Sequence, residues 1–399
     1  MTNPPTPITQ KSSLSLTIAV LSLSMFAVMS FSSVAPALGR IQLSFPEVTK
    51  LQLQMFLNLP SLFIIPFSLL SGQLTLRYKK RHILLTGLVI YGISGVGAAF
   101  APTFVVLLIL RAFLGISLGL ITPLSFSLIA DLFTGEKRAR LMGLSSAVAT
   151  SSAILMSLLS GWLALYNWRY AMGAYGISVV VLLMVYFYLP EPSSQSKSII
   201  KDRKLPFLVY AAALFTLFSI VIFNLITNNM AFYLKDTGLG DSAESGVAIA
   251  FYQGAQFLVA LLFDKIYRRF KNNTAIFSMG VSVIGFRILF VANSLWMIIL
   301  AVFIIGLGIG SLIPFNALTI SNQVSSDMSG WALSLNTSGL FAGQFISPFV
   351  FSFISSIFGF TSIRFHFLSA AVMCAIVAVI IIIARKAHQR GTKNFARIE

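Results

Sequence analysis

The chain has 399 residues, of which 57% are hydrophobic and only 10% are charged, and its mean hydropathy is +0.89. Soluble domains carry about 25% charged residues, so a chain this apolar could not cover its surface with polar groups in water. The composition excludes an ordinary soluble protein and predicts an all-α membrane protein that crosses the bilayer several times.

Twelve apolar runs follow a polar, proline-containing tail at residues 1–13. The first run is longer than the hydrophobic part of a typical signal sequence, so we expect it to be retained as a span. Each run is near or above the ~20 residues needed to cross the hydrocarbon. The runs lie roughly at 14–38, 51–76, 83–100, 104–132, 141–164, 170–189, 207–234, 246–267, 274–292, 295–322, 332–358 and 365–384.

A polar stretch divides the runs into two sets of six. Residues 190–206 are rich in serine, proline and charge, and are predicted to form a cytoplasmic linker. The predicted organisation is an N-terminal half at 14–189, a C-terminal half at 207–384 and a basic tail at 385–399.

The basic residues predict the orientation. With both termini inside, 21 of the 28 lysines and arginines fall in cytoplasmic segments, and five fall in outer loops. This positive-inside bias accounts for the net charge of +17, so we do not expect nucleic-acid binding. The only cysteine, Cys374, and three scattered histidines offer no disulfide and no metal-ligand spacing, so no metal or cofactor is expected.

A glycine pattern recurs in the two halves. Gly115, Gly119 and Pro123 lie four residues apart on one helix face, and the same spacing returns 191 residues later at Gly306, Gly310 and Pro314. Small residues at this spacing let helix backbones approach closely in lipid. The repetition indicates two parallel six-helix repeats, an arrangement typical of transporters.

Taken with its motifs, the chain resembles a twelve-helix transporter of the major facilitator superfamily, most closely the bacterial drug and metabolite efflux group. The family pattern G-x-x-x-D-R-x-G-R-R/K between spans two and three is matched in part. The fitting residues are Gly72, Leu74, Arg77, Lys80 and Arg81, whereas Leu76 and Lys79 replace the family's acid and second glycine. The antiporter signature of span five is largely missing, because residues 156–161 keep only Gly161.

The resemblance implies a set of gating residues at the cytoplasmic face. Asp131 and Arg138 resemble the family's acid-x6-Arg clasp after span four, and Asp264 and Lys265 close span eight. Both acids adjoin basic clusters, so we expect them to form ion pairs that break and re-form during gating rather than to carry protons. The gating candidates are Gly72, Arg77, Asp131, Arg138, Asp264 and Lys265.

Polar side chains inside the apolar runs are candidates for substrate binding. On the first span, Ser33 continues a mixed stripe with Ser22, Phe26 and Met29. The candidate amides in spans seven, eight, ten and eleven are Asn224, Asn228, Gln253, Asn316, Asn336 and Gln344, and Gln256 shares the helix face of Gln253. Any one of them could instead serve as a helix–helix hydrogen bond, worth about 0.6 kcal/mol. As a set they suggest an uncharged cavity between the halves.

Arg111 lies in the fourth predicted span, at the position of the family's R-x-x-x-G pattern with Gly115. A charge inside a span costs about 2.5–3.5 kcal/mol on insertion scales, and no acid is predicted at comparable depth. One interpretation is an arginine held by backbone carbonyls of a neighbouring helix. The other is a cationic group that faces the cavity and selects solutes by charge.

These observations predict a secondary active transporter of the cell membrane that moves a small organic solute by alternating access, and the resemblance favours efflux over uptake. The alternatives are an uptake facilitator for a small metabolite and a non-transporting sensor on the same fold. A membrane enzyme is not expected, because the spans assemble no nucleophile–base pair. The expected partners are the substrate, the lipid bilayer and possible coupling protons, and the expected oligomeric state is a monomer.

Overall fold

A computed structural model describes residues 14–190, 205–324, 326–360 and 362–395 of the chain. The tail at 1–13 and most of the predicted linker at 190–206 lie outside the described residues. The fifteen α-helices of the described part are α1 Leu14–Ser22, α2 Met25–Ser32, α3 Leu38–Ser44, α4 Lys50–Leu74, α5 Lys80–Gly97, α6 Phe104–Leu132, α7 Gly135–Tyr166, α8 Trp168–Met172, α9 Ile177–Tyr188, α10 Phe207–Thr237, α11 Ser242–Phe270, α12 Thr274–Val291, α13 Leu295–Ser321, α14 Ser326–Phe358 and α15 Ile363–Phe395.

Eleven helical segments are long and apolar enough to cross a membrane, with Trp168–Tyr188 counted as one. The first predicted span is broken: Leu14–Ser22 and Met25–Ser44 meet at a bend of 44°, and together they raise the number of candidate spans to twelve. A 3-10 turn containing Pro36 further separates α2 from α3. The all-α architecture with about twelve spans that the sequence predicts is confirmed. α15 continues to Phe395, past the predicted start of the tail.

The glycine repeat marks equivalent helix contacts in the two halves. A Cβ atom on Gly115 of α6 would lie 2.6 Å from the carbonyl oxygen of Pro60 in α4. A Cβ atom on Gly306 of α13 would lie 2.4 Å from the carbonyl oxygen of Tyr252 in α11. Glycine is therefore required where these backbones touch. The pair α4–α6 and the pair α11–α13 occupy matching places in the two repeats.

The starts of α4 and α11 are also built alike. Thr49 caps α4 in a capping box with Gln52, and Asp241 caps α11 in a capping box with Glu244. In each box the third-position side chain accepts a hydrogen bond of 2.8 Å from the cap residue's backbone N–H. These caps satisfy backbone donors at the helix starts and fix where both helices begin.

The two halves meet mainly through α7 against α11 and α4 against α14. At the first contact a Cβ on Gly246 would lie 2.4 Å from the carbonyl oxygen of Ser157, and Gly161 lies equally close to α11. We call the end where α4 and α11 finish the basic end, and the end where α3 and α10 finish the opposite end. Several hydrogen bonds and ion pairs between described residues join the halves at mid-depth and at the opposite end.

Candidate functional site

A cavity of about 320 Å³ lies at mid-depth between the two halves. Four of its five walls are α10, α11, α13 and α14, and the N-terminal half contributes only α2 with the turn that follows it. Its aromatic lining residues are Phe31, Phe223, Tyr252 and Phe341, and its polar ones are Ser32, Asn224, Thr227, Gln253, Gln256 and Gln344. The lining described here includes no charged side chain. The volume is at the small end of the ~300–1,000 Å³ range of ligand pockets.

Gln253 of α11 joins the two sides of this cavity. Its Nε2 donates a hydrogen bond of 2.9 Å to Oγ of Ser32 on α2. The other amide atom, Oε1, is buried and has no hydrogen-bond partner in the described part of the protein. The residue as a whole is 8% exposed. Gln253 is therefore placed where the sequence predicted a substrate contact, with an acceptor still open.

Two further predicted amides, Asn224 and Gln344, also line the cavity. Asn224 is already engaged: its Nδ2 donates to Oδ1 of Asn58 at 2.9 Å and to the backbone oxygen of Gln344 at 3.1 Å. Its Oδ1 accepts from the hydroxyl of Thr227 at 2.9 Å. Asn224 thus holds α4, α10 and α14 together at the cavity wall.

The predicted residue Asn228 lies outside the cavity lining, in a network of amides that crosses between the halves. Nδ2 of Asn58 in α4 donates to its Oδ1 at 2.7 Å. One turn away, Nε2 of Gln54 donates to Oδ1 of Asn229 at 2.9 Å. Sequence reasoning missed Gln54 and Asn58, although amides within an apolar run are the same signal that identified the residues on α10.

Asn316 and Asn336 meet at a separate, smaller cavity of about 20 Å³, which has room for one water molecule. Oδ1 of Asn336 accepts from the hydroxyl of Thr216 at 2.6 Å and from Nδ2 of Asn316 at 3.3 Å. Asn316 also donates to the backbone oxygen of Ala212 at 2.9 Å. Both amides therefore tie α10, α13 and α14 together beside the main cavity rather than in its wall.

The structure places Arg111 inside the N-terminal half, away from the main cavity. The residue is only 2% exposed. Its Nη1 donates to Oη of Tyr175 at 3.0 Å and to the carbonyl oxygen of Ser30 at 3.4 Å. The guanidinium carbon also lies 4.7 Å from the ring centre of Phe56, an attractive cation–π distance. Nε and Nη2 are buried without a hydrogen-bond partner in the described part of the protein.

Ser33 is likewise buried away from the cavity. Its hydroxyl donates to the carbonyl oxygen of Met29 at 2.8 Å, and its own carbonyl accepts from the hydroxyl of Ser160 at 2.6 Å. These bonds fix the end of α2 against α7. The neighbouring Ser32, not Ser33, is the serine that reaches the cavity.

The gating candidates all lie at the basic end, but with different partners from those expected. Asp131 accepts a hydrogen bond of 2.5 Å from Nζ of Lys80, whereas Arg138 is exposed in the first turn of α7. Asp264 pairs with Arg268 one turn later in α11, at 2.8 Å, and its neighbour Lys265 is exposed. Gly72 and Arg77 are also exposed. These ion pairs stay within one half.

Ion pairs that cross between the halves lie instead at the opposite end. Arg40 forms a two-pronged pair with Asp241, with Nε at 2.9 Å from Oδ1, and Lys50 lies 2.5 Å from Asp236. Nζ of Lys235 also reaches the carbonyl oxygen of Gly39 at 3.4 Å. Sequence reasoning placed these residues in outer loops but did not pair them. They clamp the opposite end shut.

No group of three or more histidine, cysteine, aspartate or glutamate side chains suited to a metal ion is found in the ranges that the structure describes. The described site consists of a cavity at mid-depth with an uncharged described lining, amides that link the helices around it, and ion pairs that close one end of the bundle. This combination, on twelve candidate spans arranged as two similar halves, defines a multi-pass membrane transporter.

Comparison with known proteins gives the family. A sequence profile of the Major Facilitator Superfamily matches residues 14–330 and 241–398, and the chain belongs to this family. It is 26% identical over 346 residues to the quinolone resistance protein NorA of Staphylococcus aureus, covering 84% of this chain and 87% of NorA. It is 26% identical over 332 residues to the bacillibactin exporter of Bacillus subtilis (strain 168), covering 78% of this chain and 82% of that exporter.

A solved structure shares the fold. It is the inward-facing, occupied form of a bacterial homologue of the human lysosomal transporter Spinster. The match has a TM-score of 0.74 at 15% identity and covers 93% of this chain and 96% of that one. The profile match, by contrast, confirms the predicted superfamily and with it the prediction of a transporter rather than an enzyme.

Proposed function

We propose that this protein exports a small organic solute from the cytoplasm across the plasma membrane by alternating access. Membership of the Major Facilitator Superfamily establishes the transporter class. Two relatives that match most of the chain, by name a quinolone resistance protein and a bacillibactin exporter, support the export direction.

The observation that carries this proposal is the cavity of about 320 Å³ at mid-depth between the halves. A site shared by two similar halves can be exposed to either side of the membrane when the halves rock against each other. Because the Arg40–Asp241 and Lys50–Asp236 pairs close the opposite end, we infer that the site opens toward the basic end in this state.

The positive-inside rule supports a cytoplasmic location for the basic end, which carries the turn from Arg77 to Arg81. With this orientation the described state is inward-facing, the state that loads a substrate for export. The same orientation places α10 so that it starts in the cytoplasm.

One alternative function has an observation in its favour. The lining residues that the structure describes include no carboxylate, and carriers coupled to protons commonly use a buried carboxylate whose proton affinity is raised by desolvation. A facilitator that equilibrates its solute without coupling fits this lining. A coupled exporter would need a proton-binding group elsewhere.

Reconstituted protein separates these functions. Proteoliposomes loaded with a panel of small drugs and metabolites are assayed for release, first without and then with an imposed pH gradient. Release against a concentration gradient in the presence of the pH gradient supports coupled export, and equilibration alone supports a facilitator. Saturable binding without release would contradict transport and favour a sensor.

A cavity-filling variant provides the matched control. Ala27→Trp places an indole in the cavity wall and is expected to abolish release. Val379→Trp places the same group on α15, where Val379 is 52% exposed on the lipid-facing surface, and is expected to leave release unchanged.

A further inference from the structure

We infer that the cavity selects an uncharged, largely apolar or aromatic solute that carries an N–H or O–H group, and that Oε1 of Gln253 accepts the hydrogen bond from that group. This inference rests on the cavity being the transport site of the proposed function. It goes further by naming the chemical class of the solute and the residue that recognises it.

The first step is the state of the polar groups in the wall. The side-chain amide of Asn224 is already hydrogen-bonded to Asn58, Gln344 and Thr227. The hydroxyl of Tyr252 donates to the carbonyl oxygen of Phe223 at 3.4 Å. Oε1 of Gln253 differs because it is buried with no partner in the part of the chain that the structure describes. A buried acceptor without a donor costs about 1–3 kcal/mol, so a donor on a bound solute would recover this cost.

The second step is orientation. The hydrogen bond of 2.9 Å from Nε2 of Gln253 to Oγ of Ser32 fixes the orientation of the amide and leaves Oε1 without a partner among the described residues. This bond also links α11 of one half to α2 of the other. A solute that bonds to Oε1 therefore lies at the contact between the halves, where its binding can influence their relative movement.

The third step is the rest of the wall, which decides the class of solute. The rings of Phe31, Phe223 and Phe341 and the side chains of Ile309 and Ile313 form an apolar surface. No charged side chain is in the described lining to compensate a charge on the solute. Placing an ion there would leave it poorly solvated, whereas an aromatic ring gains contact area.

A matched pair of probes tests this inference by binding rather than transport. N-phenyl-1-naphthylamine is uncharged, aromatic and has one N–H group, and its N-methyl derivative lacks only that hydrogen. Binding of each is measured by fluorescence titration of the protein in lipid nanodiscs, with empty nanodiscs subtracted. We expect saturable binding of the N–H probe, about three- to tenfold tighter than that of the N-methyl probe.

Variants assign this preference to Gln253. Gln253→Met keeps the length of the side chain but removes the acceptor, and is expected to bind both probes equally. Ser32→Ala frees the amide to rotate and is expected to reduce the preference. Gln73→Met is the control, because Gln73 is exposed near the end of α4 and is not among the lining residues of the cavity, so this variant should retain the wild-type preference.

Several results would overturn the inference. They are equal binding of the two probes by the wild-type protein, no saturable binding of the N–H probe, and a preference retained by a folded Gln253→Met variant. Monodisperse elution of each variant checks its folding. Transport is a separate readout. N–H preference without release would refute the proposed function but support the binding site. Release without N–H preference would support the proposed function but refute the role of Gln253.

Discussion

Asn58 of α4 and Asn228 of α10 form a hydrogen bond of 2.7 Å that crosses between the two halves of the transporter. Asn58 is fully buried and Asn228 nearly so. Oδ1 of Asn58 also accepts a hydrogen bond of 2.9 Å from Asn224. One asparagine of the N-terminal half is therefore hydrogen-bonded to two asparagines of the C-terminal half. Because no charge is involved, this contact can break and re-form without exposing an ion to lipid.

Replacing Asn58 by alanine should weaken the closed state of the opposite end. The substitution leaves the amides of Asn224 and Asn228 without their cross-half partner, which costs about 1–3 kcal/mol while they stay buried. We expect the population to shift toward the state in which the opposite end is open. Spin labels on Tyr78→Cys and Arg269→Cys, in a Cys374→Ala background, should then report a shorter distance between the halves at the basic end.

Ser219→Ala is the matched control for this experiment. Ser219 lies on α10, and its hydroxyl donates only within that helix, to the carbonyl oxygen of Phe215 at 2.7 Å. The control should give the wild-type distance distribution. An unchanged distribution in Asn58→Ala would show that the amide contact does not hold the halves together.

The ion pairs at the opposite end should also stabilise its closed state, but more weakly than the Asn58 contact does. The side chains of Arg40 and Asp241 are 32% and 42% exposed, and such pairs are worth about 0.2–1 kcal/mol each. We expect Arg40→Gln to increase opening of this end roughly two- to fivefold. In wild-type protein, high salt should have a similar effect, because it screens exposed charges.

A cysteine at Ala35 provides the readout for this ion pair. Ala35 is buried and lines the cavity, so a membrane-impermeant maleimide added to intact cells reaches it only when the opposite end opens. Faster labelling is expected with Arg40→Gln. Arg169→Gln is the control, because Arg169 bonds within its own half to the carbonyl oxygen of Ala101. Faster labelling of the parent Ala35→Cys protein than of its Arg40→Gln variant in intact cells would reverse the proposed orientation.

The sequence allowed prediction of the fold because lipid imposes strong rules on it. Apolar runs must be helices, and the glycines at 115 and 306 mark the same backbone contact in each half. The cavity was only partly predictable. Gln253, Asn224 and Gln344 line it, whereas Asn228, Asn316 and Asn336 serve helix contacts, since periodicity does not tell which neighbour a helix face meets.

The ion pairs were harder to predict for two physical reasons. Arg40 and Asp241 are 201 residues apart in the chain, and their pairing depends on how the halves close. Asp131 and Arg138 are near in sequence, but the backbone is extended at Phe133 and Thr134 between α6 and α7. Because of this break, Arg138 is exposed to solvent, and Asp131 forms its ion pair with Lys80 instead.

Charge reversal distinguishes these partners of Asp131. We expect Asp131→Lys to lower transport and Lys80→Asp in the same protein to restore at least part of it, because the swapped pair can re-form at the same place. For the pair predicted from the sequence, Arg138→Asp should not restore the transport that Asp131→Arg abolishes. Initial rates of solute release from proteoliposomes measure both. Rescue by Arg138→Asp would show that the clasp forms in another state of the cycle.

Close backbone packing between the halves gives a steric test. An added Cβ on Gly246 would lie 2.4 Å from the carbonyl oxygen of Ser157 on α7, so Gly246→Ala must push α7 and α11 apart. We expect it to increase maleimide labelling of Ala35→Cys. Gly254→Ala on the same helix meets nothing within 4 Å and should label like wild type. Equal labelling of the two variants would mean that α7 and α11 separate freely.

Arg111 is a buried cation whose surroundings do not compensate it fully. It makes two hydrogen bonds, to Tyr175 and to the carbonyl of Ser30, yet Nε and Nη2 have no partner in the described part of the protein. The carbonyl of Ser30 would still accept from Tyr175 at 2.7 Å if Arg111 were absent. Replacing an unpaired buried charge with an apolar residue of similar length is often neutral or stabilising.

We therefore expect Arg111→Met to unfold at the same temperature as wild type or higher, while its rate of transport falls tenfold or more. Retained stability with lost transport would mean that the charge serves the transport cycle rather than the fold. Arg111→Lys keeps the charge but loses the planar fork, so substantial transport by this variant would favour an electrostatic role. A fall in unfolding temperature of Arg111→Met would show instead that the bonds to α2 and the contact with Phe56 hold the helices together. Wild-type transport by Arg111→Met at normal membrane abundance would exclude both roles.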